Sequence, residues 1–227
     1  MSLTTRKPRP IIARDRDPHS LRDDRLFIVG CDDTYAPAQY FGFFKLARVK
    51  VFVVPTVDGT SVPKYVLDRL LQYEHEQDDE LWMVLDTDHL IRGPHLAGLT
   101  QTMQEAKRQG VNIALSRPCF EVFLLLHHEG EETVAGLGSA AEICASLAAR
   151  IGGYNKANLK RSAFPLSTVA SACQRAERLD STAGGEIPTQ NTSRVYLLWK
   201  AIVAKALSSQ LPPELHALVP MEDLLTS

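Results

Sequence analysis

LWMVLDTDH, residues 81–89, decides how this chain is read. Leu81 to Leu85 is a continuous apolar run, the pattern of a strand covered on both faces. Its acids therefore stand at the end, as Asp86 and Asp88, and residues two apart on extended backbone project to the same side. LFIVGC, residues 26–31, repeats the pattern and runs into Asp32 and Asp33. In an open parallel sheet, ligands gather outside the carboxyl ends of the strands. Asp32, Asp86 and Asp88 are thus expected to meet at one sheet edge as hard oxygen donors for Mg2+ (or Mn2+), an arrangement suited to phosphate chemistry. Like charges gathered this closely raise one another's pKa, so the site is expected to depend on a cation.

Two further strands flank this pair, Val49 to Val54 stopping at Pro55 and Val111 to Leu115 ahead of Ser116-Arg117-Pro118. Between the strands, helices are expected from about Pro37, from Ser61-Val62-Pro63 toward Gln77 after a turn at Asp58-Gly59, and from Gly93-Pro94 to about Gln109, closed by Gly110. Such alternation implies an α/β fold, an open sheet of about four parallel strands flanked by helices and joined by right-handed crossovers. From Phe120 onward the pattern is helical. PCFEVFLLLHH, residues 118–128, reads as a buried helix, Thr133 to Ile151 as a helix ending at Gly152-Gly153, Ser193 to Ser208 as another after a polar loop at Gly184-Gly185, and Pro212 to Leu225 as a short last one. The expected organisation is a basic arm at residues 1–24, an α/β core at 25–130 and a helical C-terminal region at 131–227 packed on it.

With 227 residues, 44% of them hydrophobic, the chain can bury one full core with a helical appendage. The net charge of −2 hides an asymmetry: Arg6, Lys7, Arg9, Arg14 and Arg16 crowd the first segment and acids crowd Glu74 to Glu80. The arm admits two readings, a solvated tail or a nucleic-acid contact. Cys31, Cys119, Cys144 and Cys173 form no C-x-x-C pair and sit in apolar sequence, which indicates reduced thiols rather than disulfides or zinc, and with them a cytoplasmic setting. No apolar run approaches the ~18 residues of a membrane span, and there is no signal-peptide pattern. The absence of a Walker A loop, a GxGxxG after a strand and a GxSxG elbow removes the NTPase, Rossmann and hydrolase readings that depend on them.

VGCDDTYAPAQYF at residues 29–41, LWMVLDTDH, ALSRPCFEVFLLLHH at residues 114–128, YNK at Tyr154 to Lys156 and NTSRV at Asn191 to Val195 together resemble the RloB-like family, whose fold is related to Toprim. Asp86 and Asp88 fall on the family's acidic pair, and Ser116, Pro118, Cys119, Phe120, Glu121 and His127 on its third motif. The first motif departs. Cys31, Tyr40 and Phe41 match, but Asp32 stands where the family has glutamate, and Asp33, Thr34, Tyr35 and Ala36 replace its other residues. Aspartate keeps the charge and loses one methylene of reach.

The resemblance implies a Toprim-like core and a metal-dependent nuclease effector that cleaves phosphodiester bonds in RNA or DNA, linked to phage defence and partnered by an ABC-type ATPase. In that picture Asp86 and Asp88 hold Mg2+, Asp32 is a ligand or acid–base group, and Glu121 supports catalysis. Arg117, Lys156 and Lys160 are the candidate substrate contacts, with Arg92 and Arg161 as further basic residues. A homo-oligomer is left open. The alternative is a catalytically weakened adaptor or sensor that binds a partner ATPase or a nucleotide without cleavage.

Several residues carry two readings. Glu121 lies either near the metal or in a salt bridge with Arg117 or Lys156, and Asp33 reads as a turn or helix cap. His89 is a phosphate contact or an exposed loop residue, and Tyr40, Phe41, Phe43 and Phe44 stack on bases or fill the core. His127 and His128 are expected to meet a helix C-terminus with partial positive charge.

Overall fold

The computed structural model describes residues 24–33, 35–56, 61–91 and 93–220. The basic arm up to residue 23, Thr34, the Asp58-Gly59 turn, Arg92 and the end of the last expected helix lie outside the described residues.

The apolar runs form strands β1 (Arg25–Cys31), β2 (Val49–Val53), β3 (Glu80–Asp86) and β4 (Asn112–Arg117). All four are parallel, in the order β2-β1-β3-β4. The chain therefore leaves β1 toward one side for β2 and returns on the other side of β1 for β3. That reversal is a topological switch point, and the crevice it opens lies at the carboxyl tips of β1 and β3. Asp32 directly follows the first of these strands and Asp86 ends the second.

Continuous apolar strands are explained by burial on both faces. Phe27, Val29, Cys31, Trp82 and Val84 enter one core, whereas Ile28, Leu81, Met83 and Leu85 enter the other. The second core is roofed by helices α2 (Pro63–Leu71) and α3 (Pro94–Arg108). Gly30 lets α2 approach, since a Cβ there would stand 3.1 Å from Val66 Cγ1 and 3.3 Å from the Val66 carbonyl. The first core is covered by α1 (Tyr35–Gly42) and by the helices that follow β4: α4 (Glu121–Leu126), α5 (Glu131–Ala135), α6 (Ala140–Ile151), α7 (Val169–Ala183) and α8 (Val195–Lys205).

The expectation of about four strands is corrected to five. β5 (Thr192–Ser193) pairs antiparallel with β4, Ser116 opposite Ser193, and their hydroxyls meet at 2.8 Å. Two residues are too few to show a strand period. Thr133 to Ile151 is not one helix but α5 and α6, broken at Gly136 to Gly138, with Ser139 capping the Glu142 N–H. α2 ends at Leu71, well short of Gln77, and the last expected helix is a 3-10 segment at Pro213–Leu218. α7 was not foreseen, because Ala170, Ala172, Cys173 and Ala176 give it a buried face of small residues.

Tyr40, Phe41, Phe43 and Phe44 belong to the core rather than to a stacking platform. His127 is buried among them and is not cationic. Burial lowers its pKa to about 3, so it cannot meet the end of α4 as a positive charge. Its Nδ1 lies 2.7 Å from Thr168 Oγ1, whose hydroxyl donates to the Pro165 carbonyl, so Nδ1 carries the proton. Nε2 is then the acceptor for the Tyr40 hydroxyl at 2.9 Å. Among the described residues no helix is long and apolar enough to cross a membrane.

Candidate functional site

The carboxyl tips of β1 and β3 are stitched together by the acids themselves. Asp32 Oδ2 accepts the Asp86 N–H at 3.0 Å and its Oδ1 accepts the Asp33 N–H at 2.9 Å. Asp86 Oδ1 in turn accepts the Phe120 N–H at 2.7 Å, which joins β3 to the start of α4. The loop after β3 is held by the Pro118 carbonyl, which accepts from both Thr87 and Asp88. Apart from the Asp33–Asp32 contact, each link joins residues at least 30 positions apart in sequence.

Asp86 is the electrostatic hub. Burial raises its pKa well above the usual carboxylate range, and the charges of Asp32, Glu121 and Asp88 raise it further against the Phe120 N–H. Asp32 is pushed up to about 6, chiefly by burial, although its two amide hydrogen bonds pull the other way. The sequence-predicted acids thus share one electrostatic neighbourhood. They do not form a tight knot, however: among the described residues the group whose potential ligand atoms all lie within 4.8 Å of one another is Cys119, Glu121 and Cys144.

Glu121 is buried and makes no ion pair with Arg117 or Lys156. It accepts a 2.5 Å hydrogen bond from Tyr154 Oη instead. Tyr154 opens the YNK motif, and its own pKa is raised by burial first and then by the Glu121 charge. Lys156 lies 3.4 Å from Asp33 Oδ2, and although burial lowers its pKa, Asp33, Glu121 and Asp86 together lift it. Gln39 on α1 fixes this segment by donating to the Lys156 carbonyl at 2.7 Å and accepting from the Leu159 N–H at 2.8 Å. Asp33 also acts as a cap, accepting the Tyr35 N–H at the start of α1.

The basic residues divide. Lys156 faces the acids, whereas Lys160 is an exposed residue that opens a 3-10 turn. Arg117 donates to the Pro188 carbonyl and shares a cavity of about 470 Å3 with Thr87, Asp88, His89, Ser139 and Asn191. His89 is largely exposed and lies 2.7 Å from Asp88 Oδ1. The NTSR residues are structural: Asn191 ties α5 to the loop after it, Thr192 bonds the Ala176 carbonyl, and Arg194 grips Asp180.

A pH dependence follows from Asp32. Between its ordinary value of 3.8 and about 6 the folded chain holds a proton that the unfolded chain has lost, so stability falls as pH rises through this window. The full effect is about 3 kcal/mol by the conversion of about 1.36 kcal/mol per pKa unit. Urea unfolding of the Asp32→Asn chain at about pH 4.5 and about pH 7 is expected to show this component of the slope removed.

No curated protein and no solved structure matches the chain. The family model described as RloB-like protein matches residues 27–202, a span running from within β1 to within α8 and containing every acid above. On the strength of that match, the chain belongs to the RloB-like family.

Proposed function

We propose that this protein is a Mg2+-dependent nuclease effector with a Toprim-like active edge, cleaving phosphodiester bonds in RNA or DNA. The observation that supports this most is Asp86, half-buried at the switch point of the sheet, where desolvation and the charges of Asp32, Glu121 and Asp88 raise its pKa. Such a concentration of acid is costly unless a cation neutralises it. The donor set fits one. Among the described residues neither Asp86 Oδ2 nor Asp88 Oδ2 has a hydrogen-bond partner, and hard carboxylate oxygens are what Mg2+ or Mn2+ takes.

Asp86 and Asp88 would hold the ion, with Asp32 as a further ligand or acid–base group. When bound, the ion would activate water and stabilise the leaving oxygen. Glu121 is kept in place by Tyr154, Arg117 on the wall of the Asp88 cavity would bind a substrate phosphate, and Lys156 and Lys160 would be further substrate contacts. An ABC-type ATPase partner and a role in phage defence are part of the same proposal, consistent with a sequence that has no Walker A loop of its own.

One observation favours a second reading, an adaptor or sensor without cleavage. Both oxygens of Asp32 are engaged by main-chain amides, a bracing role that a shortened side chain can fill without catalysing anything. The purified chain, incubated with RNA and with DNA, is expected to cut one of them with Mg2+ or Mn2+ and to stop on chelation. Intact substrates under all these conditions would leave the adaptor reading.

Tyr154→Phe removes the only described hydrogen bond to the Glu121 carboxylate while keeping the ring. Loss of such an orienting partner commonly costs about 10–100-fold in activity or metal affinity. The Mg2+ dependence of cleavage in this variant is expected to move to higher concentration with folding unchanged.

A further inference from the structure

We infer that Cys119, Cys144 and Glu121 form a second cation site, one for a soft divalent metal of the Zn2+ class. The sequence spacing hides it, because Cys119 precedes α4 and Cys144 lies within α6. The fold brings the two thiols and the carboxylate together with all donor atoms within 4.8 Å. Tetrahedral zinc with bonds of about 2.0–2.3 Å asks donor atoms to stand within about 4 Å of one another, so small side-chain rotations suffice.

Three further features fit a metal better than simple thiol packing. Two sulfurs and one carboxylate are a zinc ligand set, and sulfur donors select against Mg2+. Glu121 is buried and makes no direct ion pair among the described residues, and Tyr154 orients it as outer groups orient metal-ligating carboxylates. Cys144 is half-buried while Cys119 is buried, so the cluster is reached by solvent from the α6 side. Bound there, the ion would tie the loop after β4 to α6. Glu121 is shared with the proposed Mg2+ site, but all three donors remain when Asp86 is replaced, so the two assignments can fail separately.

The test is titration of the full chain, under reducing conditions, with Co2+ as a spectroscopic stand-in for Zn2+. A thiolate-to-cobalt charge-transfer band in the near ultraviolet is expected to saturate at a single equivalent, to bleach on adding Zn2+, to vanish in Cys144→Ser and to persist in Asp86→Ala. A wild-type chain without the band, or a band undiminished in Cys144→Ser, overturns the proposal. Should Cys144→Ser fail to fold, alkylation of the wild-type chain read by mass spectrometry decides. Zn2+ is expected to protect Cys119 and Cys144 together, and equal labelling with and without Zn2+ overturns the assignment.

Discussion

Replacing Asp86 is expected to abolish Mg2+-dependent cleavage, and the asparagine variant is expected to unfold at higher urea concentration than the wild-type chain when metal is absent. A cation supplies several kcal/mol of transition-state stabilisation, and about 4 kcal/mol corresponds to roughly a thousandfold in rate. Asp86→Asn and Asp86→Ala should lose that alike. Their stabilities should differ. Asn keeps an oxygen for the Phe120 N–H and removes a carboxyl whose ionisation is opposed by burial and by Asp32, Glu121 and Asp88. Ala removes the same charge but leaves the Phe120 N–H without its acceptor, at a cost of about 1–3 kcal/mol. The midpoint of urea unfolding, measured with and without Mg2+, separates the two effects. Cleavage that survives in either variant would rule out the assigned role of Asp86.

Tyr40→Ala is expected to be the most destabilising single change in the first core, by about 3–5 kcal/mol. Tyr40 is fully buried and meets Phe41, Phe44, Phe120, Phe123, Phe164 and Trp199 edge-on, with ring centroids 5.2–6.3 Å apart. Tyr40→Phe keeps these contacts and removes only the hydroxyl that donates to His127 Nε2, an unpaired buried acceptor costing about 1–3 kcal/mol. Denaturant unfolding is expected to give a lower midpoint for both variants with little change in slope. A difference of less than about 1 kcal/mol between them would show that the ring contacts contribute little beyond the hydroxyl.

How far these features could be read from sequence depends on whether their signal is local. β1 and β3 were legible because burial on both faces demands unbroken apolar runs, and that demand drives their acids to the tips. β5 was not legible, since its pairing with β4 depends on Ser116 meeting a residue 77 positions away. α7 was missed because a buried face of alanines carries little hydrophobic contrast. At the site, the edge location of Asp32, Asp86 and Asp88 followed from the strands. The bracing of Asp32 by two amides, and the Tyr154–Glu121 bond across 33 residues, required the folded backbone.

The Ser116–Ser193 hydrogen bond also bears on the order of synthesis. Asp32, Asp86 and Glu121 are translated well before Ser193 gives β4 its last neighbour and Trp199 reaches the ring of Tyr40. On the ribosome Asp32 and Asp86 are solvated, and they titrate as ordinary carboxylates until the chain folds around them. The raised pKa values, and whatever chemistry they prepare, are therefore among the last properties a newly made chain acquires. A chain truncated before β5 would contain every acid of the edge without the enclosure that gives them their character.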